Sequence, residues 1–171
     1  GSLSAENEKK YITGIVEAEI NEYINDKSLL NKIKLLMIDA FTSAQSFIKD
    51  KNGKESVSMR ETRKFMTIYK FLIKDFERKK KISHIYSNKS ELQKSINAEE
   101  DYSFYLNKDE FLAQKYSIAT AIYICFYIRL SENKDKTDFE TEMNKLFELN
   151  FTEYPKQLQD ELIRNIKLDK G

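Results

Sequence analysis

Ser56-Val-Ser-Met-Arg-Glu-Thr-Arg-Lys-Phe-Met-Thr-Ile-Tyr-Lys-Phe-Leu-Ile-Lys-Asp-Phe76 reads as one helix with an unusual beginning. Ser58 followed three residues later by Glu61 has the form of a capping box, in which hydroxyl and carboxylate satisfy amides that the first turn leaves unpaired. The spacing therefore predicts a start near Met59. Beyond it, Phe65, Met66, Tyr69, Leu72, Ile73 and Phe76 recur every three or four positions, an apolar face that must pack against other helices. Arg60 and Arg63 run against the helix macrodipole, which already concentrates partial positive charge in the first turn and favours a carboxylate there. Dipole, free amides and guanidinium together make an anion site, with phosphate as the natural guest. Equally, Glu61 or an acidic residue of another helix can take up both arginines, and spacing alone leaves the two alternatives level.

Composition places this helix in an all-α chain. The 171 residues include only four glycines and one proline, which starves turns and hairpins and leaves long uninterrupted helices. Forty per cent hydrophobic residues support a real core within one domain, taken as residues 3–171 after a Gly1-Ser2 pair that looks like the scar of a cleaved tag. On that view the chain is a fragment of something longer. A net charge of +1 gives no overall field of the kind that marks a nucleic-acid binder, so no nucleic-acid partner is expected. A single cysteine, Cys125, excludes an internal disulfide. No signal peptide or run of eighteen apolar residues is present, which predicts no transmembrane segment and a cytoplasmic location.

Taken in order, the pattern predicts an irregular bundle of five or six helices. The first runs from about Ala5 to Asn25 behind Ser4 as cap, and the second from Leu29 to about Lys49 after a break at Asp26-Lys27-Ser28. Asn52-Gly53 turns the chain into the central helix. Glu77 to Lys81 reads as a solvated, basic helix end, and residues 83–107 as a connector holding a two-turn helix near Ser90 to Asn97 with Leu92 and Ile96 inward. Asn107 with Glu110 predicts the cap of a helix reaching Ser131, whose half from Ile118 to Leu130 is apolar nearly all round and so central to the bundle. Cys125 is then a packed thiol, and Arg129 pairs with the last carbonyls or with an acidic neighbour. Thr137 with Glu140 predicts a further cap. A last helix begins near Pro155, with Leu158, Leu162, Ile163 and Ile166 along one edge.

No glycine-rich phosphate loop, acidic metal motif, histidine-cysteine cluster or nucleophile-base arrangement appears. His84, the only histidine, has no ligand partners at metal spacing and is assigned no chemistry. The chain therefore holds no catalytic or metal residues and no cofactor of its own. An arginine in a helix first turn, on a helical domain without a phosphate loop, nevertheless resembles the sensor-2 position of the lid domain of an AAA+ ATPase. Ser56-Val-Ser-Met-Arg-Glu-Thr-Arg63 resembles the Ser-Leu-Arg-Asp-Val-x-Arg segment of the giant AAA+ proteins of the mysterin type, dynein-like ATPase cores joined in animals to a RING ubiquitin ligase. Cys125-Phe-Tyr-Ile-Arg-Leu130 similarly resembles the Cys-Tyr-Tyr-x-Arg-Leu stretch that follows it in that family. Glu61 stands for the family's aspartate and Phe126 for a tyrosine.

The resemblance implies a non-catalytic lid, with a core of about residues 5–131 and connecting helices over about 137–168. Such a lid packs over nucleotide held by a large AAA+ subdomain of the same chain, contacts neighbouring modules, and passes nucleotide state to them by rotation. ATP and magnesium are implied for the parent protein. Arg60 is implied as the sensor, Arg63 as a second contact, and Met59 with exposed aromatics as the face toward the missing subdomain. The lysine, asparagine, isoleucine and tyrosine bias fits an AT-rich genome such as a protist's. A competing expectation is a stand-alone helical interaction module, in which Arg60, Arg63 and Arg78 to Lys81 recognise an acidic or phosphorylated partner. Orientation separates the two, because a lid presents Arg60 at an open edge beside exposed apolar surface.

Overall fold

A chain with almost no helix-breaking residues folds as its composition predicts, into an irregular all-α bundle. The computed structural model describes residues 5–21, 24–52, 59–96 and 101–170. Seven helices occur among them, rather than five or six: α1 (Ala5–Ile20), α2 (Lys27–Asn52), α3 (Met59–Ser87), α4 (Glu91–Ile96), α5 (Glu110–Cys125), α6 (Asn133–Phe147) and α7 (Glu153–Lys170). Single 3₁₀ turns at Ser103–Tyr105 and Tyr127–Arg129 flank α5, and the described residues contain no strand.

Helix α5 occupies the centre because it lacks a polar face. Every residue from Tyr116 to Ile122 is buried, which requires neighbours on all sides, and α2, α3, α6 and α7 supply them. The stretch Glu110–Arg129 is long and apolar enough to cross a membrane by composition, but 61% of its eighteen-residue apolar window is buried within the bundle. Helix α3 makes the most extensive contact with α5, through the predicted face from Phe65 to Phe76, while α1 pairs with α2 and also leans on α3. Aromatic clusters punctuate the core, one of them joining Phe47, Tyr123, Tyr127, Phe139 and Phe151. Phe41 of α2 meets Phe65 and Phe126 at ring separations of 5.3 Å near the start of α3. Farther along, Phe76 is ringed by Tyr105 at 4.8 Å, Tyr154 at 5.3 Å, and Phe104 and Tyr116 at 6.4 Å.

Several boundaries differ from the sequence expectations, each for a local reason. Helix α1 ends at Ile20, and Asp26 is not merely part of a break: its Oδ1 accepts from the amides of Ser28 and Leu29, so it caps α2. Asn107 does not cap α5. It adopts a left-handed φ of 66°, and Asp109 two residues later accepts from Leu112 N at 2.7 Å. The helix expected from Thr137 begins at Asn133, so Thr137 lies inside α6, its hydroxyl donating to the Asn133 carbonyl. Leu92 in α4 is 74% exposed rather than inward, and Leu162, Ile163 and Ile166 of α7 also face out. Ser4, Gly53 and Asn97 lie outside the described residues.

The largest correction concerns the basic run Glu77 to Lys81. Helix α3 does not end there; it continues to Ser87, and Lys79 points inward with only 7% exposure. Its ammonium lies 2.6 Å from Asp75 Oδ2 and 2.6 Å from Glu161 Oε2, a carboxylate on α7 that is itself buried. Glu161 Oε1 accepts from Tyr105 Oη at 2.7 Å and from Gln157 Nε2 at 3.1 Å. The same ammonium sits over the rings of Tyr102 and Tyr105. A buried charge needs such satisfied partners, and this network joins α3, the Ser103–Tyr105 turn and α7.

Candidate functional site

The site begins at the N-terminal turn of α3. Ser58 lies outside the described residues, as do the side chain of Met59 and the serine half of the expected capping box. Glu61 is described, and it faces inward. It precedes Phe65 by four positions and so shares the flank of α3 that meets the core. Its Oε1 lies 3.6 Å from Nη1 of Arg129, in the 3₁₀ turn that follows α5, and Oε2 is buried without a hydrogen-bond partner among the described residues. Arg129 therefore takes the acidic neighbour that its position predicts, and the partner is the first-turn glutamate.

This contact brings together the two stretches that carry the sequence resemblance, although Glu61 and Arg129 are far apart in the chain. Thr62 and Phe65 are buried behind Glu61, with Cys125 and Phe126 on the facing element, and Phe41 packs against both Phe65 and Phe126. Burial pushes the Cys125 thiol up to about 11, so a thiolate does not form at neutral pH and this cysteine acts as a small apolar filler. The phenyl ring of Phe126 is wholly buried.

Arg60 and Arg63 point the other way. Both are exposed, and among the described residues neither has a carboxylate within salt-bridge distance. Glu61, the nearest acid in sequence, is instead paired with Arg129. The turn thus offers two guanidiniums at the positive end of a 29-residue helix, an arrangement suited to bidentate recognition of phosphate or carboxylate oxygens. One exposed apolar side chain adjoins Arg129 in sequence, Ile128; the exposed Phe71 lies three turns, roughly 16 Å, farther along α3 and is not part of this turn.

The remaining expected contributors do not join this site. Arg78 lies eighteen positions from Arg60, roughly 27 Å along the helix. Its Nη2 donates to Asp75 Oδ1 at 2.9 Å, a contact that raises the guanidinium above its ordinary value. Lys79 belongs to the buried network. His84 is exposed. Among the described residues, no group of three or more histidine, cysteine, aspartate or glutamate side chains is placed to hold a metal ion. Comparison with protein-family models, with curated proteins and with solved structures finds no match to the chain.

Proposed function

We propose that this chain is the helical lid of a larger AAA+ ATPase, in which Arg60 and Arg63 reach toward the terminal phosphates of ATP bound by a separate large subdomain. The observation that carries the proposal is the division of the first turn of α3. Glu61 turns inward to Arg129, while both arginines stay outward in solvent. An arginine in the first turn would stand against the macrodipole without compensation unless an anion arrives from outside. Magnesium ligands would come from the large subdomain, and this chain would contribute charge and motion. Its chemistry would be electrostatic, stabilising negative charge as it builds on the transferring phosphoryl group.

A stand-alone module using Arg60, Arg63 and Arg78 to Lys81 as one surface is less well supported. Arg60 and Arg63 are separated from Arg78 by about half of α3, and Lys79 is withdrawn into the core.

The test is ATP turnover in the longer parent protein, wild type against Arg60→Ala, with the substituted 171-residue domain checked for unchanged helical content. Loss of one transition-state charge contact is expected to lower turnover by about tenfold or more. Unchanged turnover and unchanged nucleotide affinity would remove Arg60 from the site.

A further inference from the structure

Charge is distributed very unevenly in this nearly neutral chain. Helix α3 alone holds nine lysines and arginines against three carboxylates, a surplus of six in a chain whose net charge is +1. Two of those three carboxylates are already engaged: Glu61 by Arg129, and Asp75 by both Lys79 and Arg78. Along the second half of the helix, Phe71, Lys74, Arg78, Lys81 and Ile85 follow one another at three-and-four spacing and all face solvent. Phe71 is 69% exposed and Ile85 59% exposed. Two large apolar groups about 21 Å apart, with cations between them, form a stripe rather than scattered surface residues.

Beside this stripe runs a groove of about 710 Å³ between α3 and the beginning of α5, with Ile73 and Ile82 among its lining residues. Gln114 on its far wall is buried, and its Oε1 accepts from Tyr69 Oη. With its oxygen engaged by Tyr69, the Gln114 amide keeps its N–H groups to donate, and the residue lines the groove.

We propose that the outer face of α3 between Phe71 and Ile85, with the adjoining groove, docks an acidic amphipathic segment of a protein partner. Its apolar residues seat against Phe71, Ile82 and Ile85, its carboxylates meet Lys80 and Lys81, and Gln114 donates to a carbonyl or carboxylate oxygen entering the groove. Glu77 and Glu110 also line the groove. They disfavour a continuous phosphate backbone and suit a segment whose acidic residues alternate with apolar or polar ones. This docking face is separate from the Arg60 turn, so it stands or falls independently of nucleotide sensing.

The experiment is fluorescence anisotropy of a labelled synthetic amphipathic helix of glutamates and leucines, titrated with the 171-residue chain at low and at physiological salt. Binding is expected, weakened as salt rises because exposed charges are screened. The double variant Lys80→Glu/Lys81→Glu and the single variant Phe71→Ala are each expected to weaken it by about tenfold, with the helical circular dichroism unchanged. Arg60→Ala should leave it untouched. No binding at low salt, equal binding by the charge-reversed variant, or loss of binding on Arg60→Ala would each overturn the proposal. So would displacement of the peptide from this face by oligodeoxythymidylate or by inorganic triphosphate.

Discussion

Replacing Lys79 by methionine keeps most of the side-chain volume and removes one buried charge. Glu161 then faces the core with Tyr105 and Gln157 as donors but no cation, while Asp75 keeps Arg78. Breaking a buried pair by removing one partner costs about 3–5 kcal/mol, because the remaining charge is left without compensation. For a chain of this length that corresponds to a fall in Tm of roughly 6–20 °C. Adding Glu161→Gln removes the stranded charge while an amide oxygen still accepts from Tyr105. The double variant is therefore expected to recover about 2–3 kcal/mol and to be more stable than Lys79→Met alone. Urea unfolding followed by circular dichroism, for wild type, both single variants and the double, measures the cycle. If Lys79→Met costs under about 1 kcal/mol, or the two substitutions simply add, the network is not the tie between α3 and α7 described above.

Three further outcomes follow from the core. Cys125, buried with its thiol raised to about 11, should not react with a disulfide reagent at mildly alkaline pH until the chain is unfolded; rapid labelling of the native protein would contradict its packing. Tyr105 and Tyr154 are held by burial above the ordinary phenol value of 10.0, so the fold favours their neutral forms. Their contribution is fully present below about pH 10 and is lost above it, as the unfolded chain ionises first. Chemical denaturation should therefore show a flat neutral range and a decline on the alkaline side, approaching 1.4 kcal/mol per pH unit for each such phenol. Phe41→Ala, which removes a ring touching both Phe65 and Phe126, should cost about 3–5 kcal/mol in the same assay.

The helical class and the buried faces were legible because they rest on periodicity, which survives without any knowledge of neighbours. Phe65 to Phe76 on α3, the all-round apolar second half of α5 and the burial of Cys125 are of this kind. Caps were less legible, since several polar residues compete within each short stretch. Asp109 rather than Asn107 caps α5 because the chain first needs a left-handed residue, and Asn107 tolerates that conformation. Lys79 was hidden for a different reason. A lysine in a basic run looks solvated until the partner that draws it inward is known, and Glu161 lies 82 positions away on an element with no local link to it. Tyr105 was equally silent, lying in a stretch without period, yet it is fully buried. At the α3 turn, the exposure of Arg60 and Arg63 could be anticipated from Glu61 standing four residues before Phe65; the pairing of Glu61 with Arg129 could not. Net charge was the most misleading summary, because +1 for the whole chain conceals the surplus on α3.

The ring of phenols around Phe76 also determines what light can report about this molecule. The chain has no tryptophan, and three of its buried tyrosines, Tyr105, Tyr116 and Tyr154, pack on Phe76 where α3, α5, α7 and the Ser103–Tyr105 turn converge. The Arg60 end is walled by the phenylalanines Phe41, Phe65 and Phe126. The near-ultraviolet dichroism of the tyrosine band therefore includes a gauge of α7 seating on α3, beside the signal of the stacked Tyr123–Tyr127 pair. The former should fade when that junction loosens and stay constant through rearrangements confined to the first turn of α3, giving the two ends of one helix separate optical signatures.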